Sequence, residues 1–281
     1  MNGWGFAFSR RWAGYLALTV AFAVVCSLLG VWQFARRAEA RAEIVRIDAN
    51  YDARAVAVGE ILPTLDAFDT SQKWTPVLLE GTYLTGEQLL VRNRPFNGQP
   101  GFDVVIPLQL EDGRVFIVDR GWVPTGDEQD APDRVPAAPT GSVTVTARLK
   151  AGEPQIAGRS TVAGSGQIQT IDLPLIAAGL DRPVFTGAYG LVASESPSVV
   201  DMPAADARPI RDEGPHLSYA LQWFVFALLG FVGLGWALRQ EYREVNADEP
   251  EERERAEERA LAKAARAPSD SDIEDAILDR K

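Results

Sequence analysis

Two uncharged apolar runs constrain this chain more than any other feature. Residues 12–34, WAGYLALTVAFAVVCSLLGVWQF, form 23 consecutive positions without a charge. At about 1.5 Å rise per residue, a helix of that length crosses a hydrocarbon core of roughly 30 Å. A second run covers residues 217–238, interrupted only by Ser218 and Gln222, and has similar reach. Both predict transmembrane helices. The first exceeds the apolar core of a cleaved signal peptide, and no small-x-small site follows it. Val25 precedes Cys26 where lipoprotein processing needs a small residue, so the span is expected to be retained.

The runs divide the chain into a head at 1–11, a span at 12–34, a β-rich domain with a helical N-terminal extension at 35–215, a span at 217–238 and an acidic tail at 239–281. The tail is expected to be disordered or partly helical, with residues 249–266 the charged candidate helix. Arg10, Arg11, Arg239 and Arg243 flank the spans on one side, against Arg36, Arg37, Arg41 and Arg46 on the other. Local charge therefore does not orient the protein. Long loops translocate largely regardless of charge, so the middle segment is expected to be extracytoplasmic and both termini cytoplasmic, or in the matrix.

Composition removes several function classes. With one cysteine and one histidine in the sequence, neither an intramolecular disulfide nor a zinc site of the usual nitrogen and sulfur ligands can form. The formal charge is −11, and residues 241–281 contribute −6 of it. No basic patch offers the clustered cations that a nucleic acid requires, so no nucleic-acid partner is expected. No Ser/His/Asp set, phosphate loop or partnered carboxylate pair is apparent, so no enzyme is expected.

The helical pattern of the first span continues, with mixed charges, to about Val58. Within the span, Ala13, Ala17 and Ala21 form a small-residue face of the kind that lets helices approach in lipid. Residues 60–73 read as a connector. Strands are predicted at 75–84, 87–94, 102–110 and 114–123, punctuated by Thr85-Gly86, by Asn97-Gly98-Gln99-Pro100-Gly101 and by Glu111-Asp112-Gly113. These short links predict antiparallel hairpins. Residues 125–141, carrying Pro132, Pro136 and Pro139, read as a mobile loop. Further strands are predicted at 142–150, 167–171 and 184–193, with a short helix at 173–180. The fold class is an α+β membrane protein: two transmembrane helices flanking an antiparallel β-rich domain, barrel-like or open-sheet.

Four blocks, in order, resemble the surfeit-locus family of cytochrome c oxidase assembly factors. They are Leu29-Gly30-Val31-Trp32-Gln33-Phe34-Ala35-Arg36; Asn93-Arg94 through Pro100-Gly101-Phe102-Asp103-Val104 to Pro107-Leu108; Val118-Asp119-Arg120-Gly121-Trp122-Val123-Pro124; and His216-Leu217-Ser218-Tyr219-Ala220-Leu221-Gln222-Trp223-Phe224. The resemblance covers about residues 12–240 and leaves out the acidic tail. Asp119 departs from it, standing where asparagine is frequent. The resemblance implies a non-catalytic chaperone that assists haem a insertion into the catalytic subunit of a haem-copper oxidase or its assembly intermediates. It also implies a bacterial plasma membrane or mitochondrial inner membrane, with membrane lipid around the spans. The other reading is a membrane-anchored scaffold that contacts oxidase subunits without binding haem.

His216 is the residue most suited to holding such a cofactor, as the metal ligand, because neutral imidazole is a common axial haem ligand. At helical spacing His216, Tyr219, Ala220 and Trp223 share a face, and a small residue between aromatics can accept a flat macrocycle. Against this, an interfacial histidine can bond headgroups or cap its helix, with the aromatics part of the usual belt. Trp32 marks the end of the first span, Gln33 and Arg37 lie four apart and can both face the second, and Arg36 and Arg37 are either interface anchors or partners for haem propionates. For Arg94, Arg120 and Trp122 the expected roles are an internal ion pair and a packed indole, or else holding the domain on the ends of the spans or on the oxidase.

Overall fold

The structure, a computed structural model, describes residues 3–156 and 166–265. The first two residues of the expected head and the 266–281 end of the tail lie outside them. The chain divides into two compact units, Met1–Glu39 with Gly214–Lys281, and Ala40–Glu213. In chain order the elements are α1 (Arg10–Asn50), β1 (Val56–Ala57), α2 (Val58–Ile61), β2 (Pro76–Tyr83), β3 (Leu89–Val91), β4 (Gly101–Leu110), β5 (Val115–Pro124), β6 (Ser142–Ala151), β7 (Gln167–Ile168), α3 (Leu173–Ala178), β8 (Ala188–Ser196), α4 (His216–Val245) and α5 (Pro250–Ala264).

In the first unit, α4 runs antiparallel to the N-terminal part of α1. Arg11 pairs with Glu241, Gly230 lies against Thr19 and Phe22, Gly30 against Phe224, and Gln33 against His216. As one residue number rises, the other falls. Both helices are long and apolar enough to cross a membrane, and they turn large apolar side chains outward, among them Leu18, Val25, Leu28, Leu228, Leu229 and Val232. In water such an all-round apolar surface would be covered by protein; in lipid it needs no cover. Residues 250–264 of the tail are helical as α5, with Glu251 and Glu252 in the first turn, where they face the positive end of the helix dipole. An Arg255–Glu252 pair adds support one turn on.

The second unit is a closed five-stranded barrel in the order β2-β6-β8-β5-β4, with β4 returning to β2. Alternation builds it: Val77, Leu79 and Tyr83 of β2 and Val143, Val145, Ala147 and Leu149 of β6 are buried in the barrel core, while Glu80, Thr144 and Thr146 are not. β4 and β5 are buried on both faces and so read as continuous apolar runs. Their inner residues, including Phe102, Ile106, Leu108 and Phe116, fill the barrel; Val105, Val115 and Ile117 face a second cluster with Leu173 and Ile176 of α3 and Ile47 of α1. Each fully buried side chain of this size contributes roughly 1.5–3 kcal/mol.

Four expectations are corrected here. The helix ends at Asn50 rather than near Val58. The Asn50 amide donates to the Ser71 and Lys73 carbonyls at 2.6 and 2.8 Å, and Val56 and Ala57 instead pair parallel with β2, delivering Val58 and Leu62 to the barrel core. The hairpin expected between the first two strands does not form: β2 and β3 both pair with β4. The barrel includes one parallel pairing, β5 with β8, because the long excursion after β6 returns the chain in the same direction as β5. Finally, the loop at 125–141 is fastened to the barrel, with Pro136, Ala138 and Pro139 buried.

Candidate functional site

The seam between α1 and α4 follows a repeat of three and four residues. Among the less exposed positions are Thr19, Ala23, Cys26, Gly30, Gln33 and Arg37 on α1, and His216, Ala220, Trp223, Ala227, Gly230 and Leu234 on α4. This is the spacing of left-handed helix pairs. Small residues bring the backbones together, and at Gly30 the requirement is steric: a Cβ would lie 2.7 Å from the Phe224 ring. The expected face of Ala13, Ala17 and Ala21 is exposed and takes no part in this seam. Cys26, on the seam, is fully buried.

At one end of the seam the His216 Nδ1 lies 2.8 Å from the Gln33 Oε1. An amide oxygen only accepts, so Nδ1 carries the hydrogen and the Nε2 lone pair is left for another partner. Gly214 lies beside the ring with φ near +67°, and a Cβ there would sit 3.4 Å from Nε2. The absence of a side chain keeps that nitrogen uncovered on this side.

Of the seven residues singled out from sequence, His216, Gln33, Arg37 and Trp223 are half-buried, whereas Trp32, Arg36 and Tyr219 are exposed. The face expected to carry His216, Tyr219, Ala220 and Trp223 therefore splits. Ala220 is fully buried and Tyr219 keeps 47% of its surface, because neighbouring positions on a helix diverge by about 100°. Trp223 packs edge-on against Phe226 at 5.8 Å. Arg36 pairs with Glu39 at 2.6 Å on an exposed surface.

In the barrel unit, Arg120 lies in mid-strand and its side chain has no exposed surface. It donates to Glu195 through Nη2 at 2.6 Å and Nε at 3.2 Å, and to the Pro136 carbonyl at 3.2 Å. The Tyr83 hydroxyl donates to the same carboxylate at 3.0 Å; burial, and then the Glu195 charge, hold this phenol protonated. Every charge in this group is paired, which is the arrangement a buried ion pair needs to persist. Gly121, at φ near +125°, follows because the backbone of Ala204 docks there: a Cβ would meet its carbonyl oxygen at 2.4 Å, and Trp122 and Ala204 exchange two backbone bonds of 2.8 Å. The Trp122 indole donates to the Arg94 carbonyl at 2.6 Å and packs on Phe96, and Arg94 pairs with Asp103 and Glu153.

Beside this lies an acidic group on the outer face of the barrel. Burial pushes Asp103 up to about 6, and burial reinforced by the charges of Asp103 and Asp206 drives Asp119 well above the carboxylate range. Asp119 accepts from the Gly121 N–H at 3.0 Å. Sequence reading missed Glu195 and Tyr83, which lie among other polar residues near the ends of β8 and β2, and missed Cys26 and Gly30, four apart in a span apolar on all sides.

A family model described as the SURF1 family matches residues 20–228. An uncharacterized SURF1-like protein of Mycobacterium bovis is 31% identical over 235 residues, covering 83% of this chain and 85% of the relative; one from Mycobacterium tuberculosis matches to the same extent. A SURF1-like protein of Monosiga brevicollis is 27% identical over 243 residues, covering 78% of this chain and 85% of the relative.

Proposed function

The chain belongs to the SURF1 family, known in general for oxidase assembly factors, and on that premise we propose that it assists insertion of haem a into the catalytic subunit of a haem-copper oxidase. The observation that carries the haem reading is the His216–Gln33 hydrogen bond. A metal-binding histidine ordinarily has its other ring nitrogen held by an oxygen, which fixes the tautomer and the ring plane. Haem a would supply an iron centre open to one imidazole at Nε2. Trp32 and Tyr219, exposed on the same helices, offer aromatic surface to a macrocycle. The Arg36–Glu39 pair is solvent-exposed and of low worth, so the guanidinium is readily given up to a propionate, with Arg37 one residue on. These residues fit a weakly held, transferable group rather than a resident one, since one imidazole is the whole nitrogen donor set.

The scaffold reading draws support from Ala220. Its complete burial means that the small-residue gap is already filled within the helix pair, so the His216–Gln33 bond can serve simply to hold two spans together. Absorption spectra of the full chain purified from cells making haem a separate the two readings. A haem band that weakens in His216→Ala is expected; a folded preparation from haem-replete cells without a band leaves the scaffold. Normal oxidase content in a strain lacking the protein and any paralogue removes both.

A further inference from the structure

At the end of α4 away from His216, the first unit contains a cavity of about 540 Å³ lined by Trp4, Arg239, Tyr242, Arg243, Arg255 and Arg259. Four guanidinium groups thus face one carboxylate among the described lining residues, Glu252. Arg255 and Arg259 share that carboxylate, at 2.8 and 3.5 Å. The neighbouring acids on α4 are engaged elsewhere: Glu241 pairs with Arg11, and Glu244 accepts from the Gln240 amide at 3.1 Å. Arg239 and Arg243 have no ion-pair partner among the described residues, and like charges four apart on a helix repel. The cavity is therefore an anion site, and the flat fork of arginine donors matches a phosphate.

Its position along α4 points to where such an anion would come from. The apolar run of α4 stops at Leu238, so Arg239 begins the headgroup layer. The 3-10 turn Gly3–Phe8 folds back onto the same level: the Gly3 N–H donates to Asn246 Oδ1 at 2.6 Å, and the Trp4 ring stacks on Tyr242 at 4.4 Å. Trp4 and Phe8 are 53% and 91% exposed, aromatic surface that suits the boundary between headgroups and acyl chains. All of these residues fall outside the stretch matched by the family model, residues 20–228.

We propose that this cavity seats the phosphate headgroup of an anionic phospholipid. The test is native mass spectrometry of the full-length protein in neutral detergent, titrated with phosphatidylglycerol, phosphatidylcholine or inorganic phosphate. Two unneutralised arginines near a lipid surface contribute enough for about a thirty-fold preference for phosphatidylglycerol over phosphatidylcholine. The double variant R239Q/R243Q is expected to abolish the preference, and R54Q/R182Q, exposed in the barrel unit, to keep it. Should the double variant not fold by circular dichroism, R239Q and R243Q singly are each expected to weaken phosphatidylglycerol binding about five-fold. Equal binding of the two lipids by the wild type, or unchanged preference in the folded arginine variants, overturns the site. Displacement of phosphatidylglycerol by equimolar inorganic phosphate overturns the lipid assignment.

Discussion

Gln33 Oε1 and His216 Nδ1 lie 2.8 Å apart across 183 positions of sequence, so the amide dictates which imidazole nitrogen carries the hydrogen. If Nε2 meets a haem iron, Gln33 acts as a positioning residue. Loss of such an outer partner typically costs 10–100-fold in metal affinity. Gln33→Ala is therefore expected to reduce the haem band of purified protein about ten-fold at unchanged protein yield, with Gln33→Asn intermediate. A full-strength band in Gln33→Ala would mean that the hydrogen bond serves the helices alone.

The seam supplies its own reporter, because Cys26 is the single cysteine in the chain and is fully buried. Gly30 stands one turn away, where a Cβ would meet the Phe224 ring at 2.7 Å. Gly30→Leu is expected to force α1 and α4 apart and to raise the rate at which a small maleimide labels Cys26 by about ten-fold, the factor corresponding to roughly 1.4 kcal/mol of lost packing. Alkylation in native membranes followed by mass measurement checks it, and equal rates in the two proteins would contradict the close approach at Gly30.

Arg120 and Glu195 have no exposed side-chain surface. Removing one charge of a buried pair strands the other, at a cost of about 3–5 kcal/mol. In a domain of this size that is about 10 °C in Tm. Glu195→Gln and Arg120→Met are both expected to lower the Tm of the full chain by this order, read by near-ultraviolet circular dichroism in detergent. Tyr83→Phe removes one donor while leaving the pair intact, and is expected to cost about 1 kcal/mol, or about 2–4 °C. Comparable losses in all three would place the energy in the phenol rather than in the ion pair.

The spans and most of the barrel strands were legible because each depends on a local pattern: charge-free length in one case, alternation and turn residues in the other. The fourth strand pattern, ending in Arg120-Gly121-Trp122, was visible, but the partner of Arg120 was not. Glu195 lies 75 positions away, and nothing in its own neighbourhood marks it as buried. The early end of α1 was hidden for a related reason. Residues 51–58 keep a helical pattern, and tertiary demands from β2 and the barrel core override it. At the candidate site, spacing indicated that Gln33 can face the second span. It did not indicate that Tyr219 and Ala220 would part, since that depends on which side of α4 the other span occupies.

Asp119 carries the last expectation, and its sign is unusual for a carboxylate. Burial raises the folded-state values of Asp119 and Asp103, the latter from 3.8 to about 6. Such groups bind protons more tightly when folded, so the stability they contribute is complete below the unfolded value and is lost as pH rises through the folded one. Glu153 and Glu43, lowered from 4.5 by their hydrogen bonds and cationic partners against the opposing effect of burial, act the other way, but only as the pH falls below about 4.5. Between pH 7.5 and about pH 5 the raised aspartates therefore set the slope, and the protein should gain stability on acidification. Asp119→Asn keeps an oxygen for the Gly121 N–H, now 3.0 Å from Asp119 Oδ1, and removes the need to take up a proton on folding. It is expected to raise the Tm at pH 7.5 by about 2–4 °C, corresponding to about 1 kcal/mol, and to flatten the rise between pH 7.5 and pH 5. Thermal scans of both proteins across this range decide the matter: a lower Tm for the variant at pH 7.5, or an unchanged slope, would mean that Asp119 is ionised and stabilising where it stands.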